Sequence, residues 1–176
     1  ALTHLLKSQR DAIGLSCFSD SVRTHFPAQL NEQHIQRIYH ELTELEGWNE
    51  KNRPTSAARS LHEIAERIKK RSLVVIFSDL LDNTNEDEQV FEALQHLKYN
   101  KHEVVLFHVL DRKTELDFEF DNRPYTFIDS ETGEQIKMNP TEVKQAYQKE
   151  AARAFKELDI KCGQMGIDFV PVDVQE

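Results

Sequence analysis

The sequence predicts an α/β fold: a mainly parallel sheet with helices on both faces. Three observations carry this. The run Leu73-Val74-Val75-Ile76-Phe77 is apolar on both faces of a strand, as an interior parallel strand is. Glu103 to Leu110 (Glu-Val-Val-Leu-Phe-His-Val-Leu) repeats that character. Segments with apolar residues at helical spacing separate the strand-like runs, and alternating strands and helices make βα units.

The elements follow in order. Ala1 to Leu6 reads as helix. Residues 11–18 form a short apolar strand, and Val22, Thr24 and Phe26 alternate in a hairpin partner that Pro27 closes at an edge. Asn31 is placed to cap a helix carrying Ile35, Ile38, Tyr39, Leu42 and Leu45, which Gly47 ends. Gly47 to Pro54 is polar and reads as a loop. A helix over 55–70 follows, with Thr55 or Ser56 as N-cap and Ala58, Leu61, Ile64, Ala65 and Ile68 on one face. After strand 73–77, Asn85 and Glu88 are spaced as a capping box for helix 86–98, whose face is Val90, Phe91, Leu94 and Leu97. Beyond strand 103–110 the pattern changes. Tyr125 to Asp129, a turn at Thr132-Gly133, and Gln135 to Met138 predict a small extra hairpin near 124–138. Asn139-Pro140-Thr141-Glu142 opens a long helix over 140–162, with Val143, Tyr147, Ala151, Ala154, Leu158 and Cys162 on one stripe and Gly163 and Gly166 punctuating its end. Ile167 to Val172 is a last strand, and Pro171 marks it as an edge. The whole of 1–176 reads as a single domain.

Composition narrows the function. The chain of 176 residues has 22 basic and 31 acidic residues, a net charge of −9, which argues against nucleic acid as a partner. Lys69-Lys70-Arg71 is the one tight basic cluster, and cations closing a helix suit the negative end of its dipole. Cys17 and Cys162 make neither a disulfide framework nor a zinc pair, read as small core residues, and suit a reducing, cytoplasmic compartment. No apolar run approaches the length of a membrane span. The chain begins in helix at Ala1 with no cap ahead of it, so the reading is of a piece whose N-terminal part is missing, and an anchor there stays open.

Ligands of open parallel sheets bind beyond the carboxyl ends of the strands. There the chain places Ser19 and Asp20, then Ser78, Asp79 and Asp82, then Asp111, with Thr55 opening a helix on the same rim. Hydroxyls and carboxylates are hard ligands that suit Mg²⁺ or Ca²⁺. Taken singly, aspartates at strand ends more often cap helices and turns. Phosphate-cradling glycine loops and nucleophile elbows are absent, and no cofactor is expected. His34, His40, His62 and His96 fall on helices as surface or boundary residues, while His108 inside a strand reads as a hydrogen-bonded core histidine. Trp48, the sole tryptophan, is a candidate partner anchor, with packing over a helix end as the alternative. Asp111 is a candidate partner contact on the rim.

Several stretches share their order with one bacterial family: Arg10 to Leu15 with Phe18, Lys70 to Leu80, His102 to Asp111, the Phe127-to-Glu134 segment with its Glu-Thr-Gly-Glu turn, and the Tyr147 helix ending in Cys162 before Gly166-Ile167-Asp168. The chain resembles the von Willebrand A-like proteins known as domain of unknown function fifty-eight, often encoded beside MoxR-type AAA+ ATPases. The resemblance implies a Rossmann-type three-layer sandwich with sheet order 3-2-1-4-5-6 and an antiparallel edge strand. The first strand and most of the first helix would lie upstream of Ala1. It also implies a metal-ion-dependent adhesion site, in which Thr55 matches the threonine and Asp79 the aspartate, while the Asp-x-Ser-x-Ser loop is missing from this chain. Two ligands alone rarely hold Mg²⁺ against water. Loss of a central strand would open two edges, so strands 11–18 and 73–77 are expected to pair directly, to swap into an oligomer, or to leave the first residues disordered.

The function expected is therefore a non-enzymatic protein-interaction module, metal-dependent when complete and acting with a MoxR-type AAA+ ATPase or its client. Two alternatives stand beside it. One is a Mg²⁺-dependent phosphoryl-transfer enzyme using Asp79, Asp82 and Asp111; the other is a scaffold domain with no ligand.

Overall fold

The computed structural model describes residues 2–19, 21–46, 57–79, 87–128 and 133–175. The chain divides into two compact units, residues 1–70 and 71–176.

In the first unit, α1 (Leu2–Ser8) leads into β1 (Ile13–Phe18) and β2 (Val22–Gln29), an antiparallel pair. β2 runs on past Pro27, where the sequence suggested a stop. A proline is tolerated there because β2 is an edge strand. The register shifts between Ile13 and Leu15 and again between Cys17 and Phe18. Gly14 stands at the first shift, where a Cβ would sit 2.8 Å from the Phe26 carbonyl oxygen, so the close approach of backbone requires glycine. Helix α2 (Glu32–Glu46) starts as predicted: Asn31 Oδ1 accepts from the His34 amide at 2.7 Å. α2 and α3 (Ala57–Arg67) both pack on this hairpin and bury Ile35, Ile38, Ala58, Leu61, Ile64 and Ala65. His34 is buried, against the surface or boundary position expected. Its Nε2 lies 2.8 Å from the Ile13 carbonyl oxygen, so one bond satisfies a strand carbonyl and the ring together. Cys17 is half-buried rather than core.

The second unit holds the parallel sheet. β3 (Leu73–Ser78), β4 (Glu103–Leu110) and β7 (Asp168–Asp173) lie in the order β3-β4-β7, all parallel, with α4 (Asp87–Tyr99) and α5 (Pro140–Gln164) as crossovers. Both crossovers move across the sheet in one direction, so right-handed connections put both helices on one face. Val90, Phe91 and Leu94 of α4 and Leu158 of α5 meet Leu106, His108 and Phe169 there. β4 shows the consequence: Val104, Leu106, His108 and Leu110 are buried and the alternate residues are not. β3 is apolar as read; among the described residues it pairs with β4 alone, and Leu73 and Phe77 are 56 % and 58 % exposed.

Between β4 and α5 the chain makes a single π-helical turn over Arg112–Leu116 and then the predicted hairpin, β5 (Tyr125–Ile128) against β6 (Gln135–Met138). Phe118 is buried in an aromatic cluster with Phe120, Phe127 and Tyr147. Asn139 caps α5 through the Thr141 amide at 3.2 Å. The inward stripe of α5 uses Phe155, which packs edge-on to Phe169, while Ala154 is exposed. Gly163 is inside the helix rather than after it. The helix ends instead at Gly166, with φ of 66°, where Gly166 N bonds Gly163 O and Ile167 N bonds Cys162 O. α4 ends in the same way, but with Lys101 at φ 64°: Lys101 N bonds Lys98 O and His102 N bonds Leu97 O.

The two left-handed positions make a paired test. A Cβ at residue 166 would meet nothing nearer than 3.8 Å, so Gly166→Ala carries a conformational penalty only and should lower stability by about 1 kcal/mol. Lys101→Gly should raise it by roughly 0.5–1 kcal/mol. Urea midpoints moving in the same direction for both would contradict this assignment.

Candidate functional site

Parallel strands end together, and that places the chemistry. Ser78 of β3 is level with His108 of β4, and Leu110 of β4 is level with Asp173 of β7. Asp79, Asp111 and Asp173 therefore share the carboxyl edge of the sheet, where the sequence reading put Asp79 and Asp111.

Their chemistry differs. Asp111 is committed to the fold. Its Oδ1 accepts from the Lys113 and Thr114 amides at 3.1 and 3.4 Å, capping the π-helical turn, and its Oδ2 accepts from Gln175 Nε2 at 3.1 Å. Its own amide donates to Glu115 Oε1 at 3.0 Å. Asp173 is committed too: its Oδ1 accepts from the amides of Gln175 at 3.1 Å and Arg112 at 3.5 Å. Asp79 is exposed, and among the described residues no hydrogen bond or ion pair engages its carboxylate.

His108 lies beneath this edge. It is 2 % exposed, between Phe155 and Phe169 at ring distances of 6.0 and 5.7 Å. A hydrogen bond ties the ring to the Ser78 backbone, whereas Nδ1 has no partner. Burial pulls its pKa below the ordinary 6.5, against the opposing pull of Glu115 and Asp79. The ring is thus held neutral, with a bare Nδ1 lone pair facing apolar side chains. The sequence reading of a core histidine stands for its burial and for one of its two nitrogens. His102, at the other end of β4, is also buried; its Nδ1 accepts from the Ser72 amide at 3.2 Å, and burial again lowers its pKa.

Thr55 and Trp48 lie outside the described residues, as do Asp20 and Asp82 and the expected Asn85 cap. Among the described residues no three His, Cys, Asp or Glu side chains converge as a metal site. The basic side chains at the rim, Arg112 and Lys113, were not weighed in the sequence reading. The Arg112 guanidinium is taken by Asp117 at 3.4 Å. Gln175, which the sequence reading also missed, holds Asp111 from beyond the last strand, a long-range pairing that carries no local signal.

A family model described as "Protein of unknown function DUF58" matches residues 1–157. The chain belongs to the DUF58 family. That match spans α1 to most of α5, a stretch that includes Asp79, His108 and Asp111. Neither a curated protein nor a solved structure matches it. Among the described residues, no helix is long and apolar enough to cross a membrane.

The buried histidine gives a pH prediction with a definite sign. Because the folded pKa of His108 is lowered, acid favours the unfolded chain, which takes up the proton first. Stability present above the unfolded value of 6.5 should fall as pH drops below it, down to the lowered folded pKa. His108→Leu should flatten part of that decline below about pH 6.5, leaving the share from His102 and His25, whose pKa values burial also lowers. Denaturant melts with identical pH slopes in wild type and variant would show that His108 is not desolvated.

Proposed function

We propose that this DUF58 chain is a non-enzymatic protein-interaction module that meets its partner at the carboxyl edge of the β3-β4-β7 sheet. The observation that carries the reading is the contrast at that edge: Asp111 and Asp173 are satisfied by the fold, and Asp79 is exposed, with no hydrogen bond or ion pair to its carboxylate among the described residues. In the intact protein Asp79 joins Thr55 as a ligand of Mg²⁺ or Ca²⁺, and a carboxylate of the partner completes the shell. Hard cations take six or more oxygens, so ligands from outside this chain are part of the proposal. The resemblance to von Willebrand A-like proteins supports the pairing of Thr55 with Asp79, and makes a MoxR-type AAA+ ATPase the partner to try first. Trp48 serves as an apolar anchor for the partner, and the reducing compartment suggested by two free cysteines is the cytoplasm. Phosphoryl transfer finds less support: Asp111 is spent on capping, and Arg112 on Asp117.

The test is capture of the purified ATPase from the same cell by the full-length protein, with Mg²⁺ or with EDTA, alongside Asp79→Ala. Binding should weaken at least about tenfold on chelation and by a similar factor in the variant. Equal capture by wild type and Asp79→Ala removes Asp79 from the site, and equal capture in EDTA removes the metal.

A further inference from the structure

We propose that His108 is a positioning residue for Asp79: its ring holds the Ser78 carbonyl from the buried face of the sheet and so fixes the backbone from which the Asp79 carboxylate reaches the rim. The inference rests on the reading of Asp79 as the acid that meets the ligand. Ser78 is the last residue of β3 in register with β4, level with His108, and Asp79 stands one residue past it. The ladder's hold on the backbone therefore stops just short of the acid. The His108 ring adds one bond to the Ser78 backbone at that last position. Its Nδ1 has no partner, so the bonded nitrogen is Nε2. The bond favours the protonated ring, so the ring is the donor. Nε2–H thus donates to the Ser78 carbonyl oxygen.

Packing keeps the ring in that direction. Phe169 is stacked on it with planes 23° apart, Phe155 lies tilted against it, and Leu94, Leu106 and Leu158 line the same small cavity. In such surroundings a histidine costs stability, because its Nδ1 is buried with no partner. Val104, Leu106 and Leu110 fill the same face of β4 without that cost. What the imidazole adds over a leucine is the one N–H aimed at Ser78. A residue that weakens the core while fixing the neighbour of an exposed acid is what a preorganised site requires. His102 makes the opposite contact at the other end of β4, where its Nδ1 accepts from the Ser72 amide at 3.2 Å. That bond holds the start of β3, far from the rim, and supplies a control.

Backbone ¹⁵N relaxation and calorimetric titration with Mg²⁺ alone, both on the full-length protein, test this. His108→Leu removes the bond, and His108→Gln returns a donor to the place of Nε2. The order parameter of the Asp79 amide should fall from the rigid range of about 0.85 toward about 0.6 in His108→Leu and stay near wild type in His108→Gln. Mg²⁺ affinity should weaken about tenfold in His108→Leu and hold within about twofold in His108→Gln. His102→Leu should change neither. The urea midpoint of His108→Leu at about pH 8 should hold or rise, since leucine removes the unpaired nitrogen, so lost affinity is not lost folding. Should that variant fail to fold, His108→Met gives the same comparison with a side chain that adapts to the cavity. An Asp79 amide as ordered without the ring as with it overturns the proposal. So does equal loosening in His108→Gln or His102→Leu, or Mg²⁺ affinity that survives in His108→Leu. A wild type that binds no Mg²⁺, with Asp79 loosened by His108→Leu alone, supports the anchor and counts against the proposed function.

Discussion

β4 is the strand on which the parallel unit depends. It pairs on both sides, with β3 and with β7, and it sends Val104, Leu106, His108 and Leu110 into the layer beneath α4 and α5. Parallel strands require crossovers, and crossovers of one hand moving one way leave both helices on one face. Ala93, Leu94, Leu97 and Cys162 close that face with no exposure. Leu73 and Phe77 point to the opposite side of β3, and both are exposed.

The carboxyl edge inherits its order from β4 as well. A common strand direction brings Asp79, Asp111 and Asp173 to one rim, and a rim of carboxylates with no cation must spread its charge or neutralise it. The fold does so with backbone amides: the π-helical turn aims its N–H groups at Asp111, and the terminal segment aims the Gln175 amide at Asp173. Asp79 receives no such help from the described residues. His108, directly below, stays neutral because burial outweighs the two acids near it. The rim is thus rigid where it is satisfied and available at one carboxylate.

Edge chemistry distinguishes the strands. β2 and β7 carry the prolines and charges of strands built to end a sheet, whereas β3 carries none.

Much was legible from local pattern. The Asn31 and Asn139 caps, the bounds of β4, the hairpin and the edge character of β7 follow from residue chemistry that acts within a few positions, and the structure places all of them as read. The meeting of Asp79 and Asp111 on one edge needed only the parallel direction implied by βα alternation. Other features depended on partners distant in sequence. His34 looked like a boundary residue because helical spacing cannot show that the Ile13 carbonyl waits opposite it. Gly163 and Gly166 were indistinguishable until backbone angles gave the left-handed turn to the second. The division of labour among the rim aspartates came from Gln175 and the π-helical turn, contacts made only after folding. The sequence by itself determined which segments are helix and strand and which way the strands run, because those rest on short-range sterics and periodicity. Tertiary structure alone decided which histidine is desolvated and which rim aspartates the backbone amides satisfy, because each is a balance of burial and pairing struck between residues far apart in the chain.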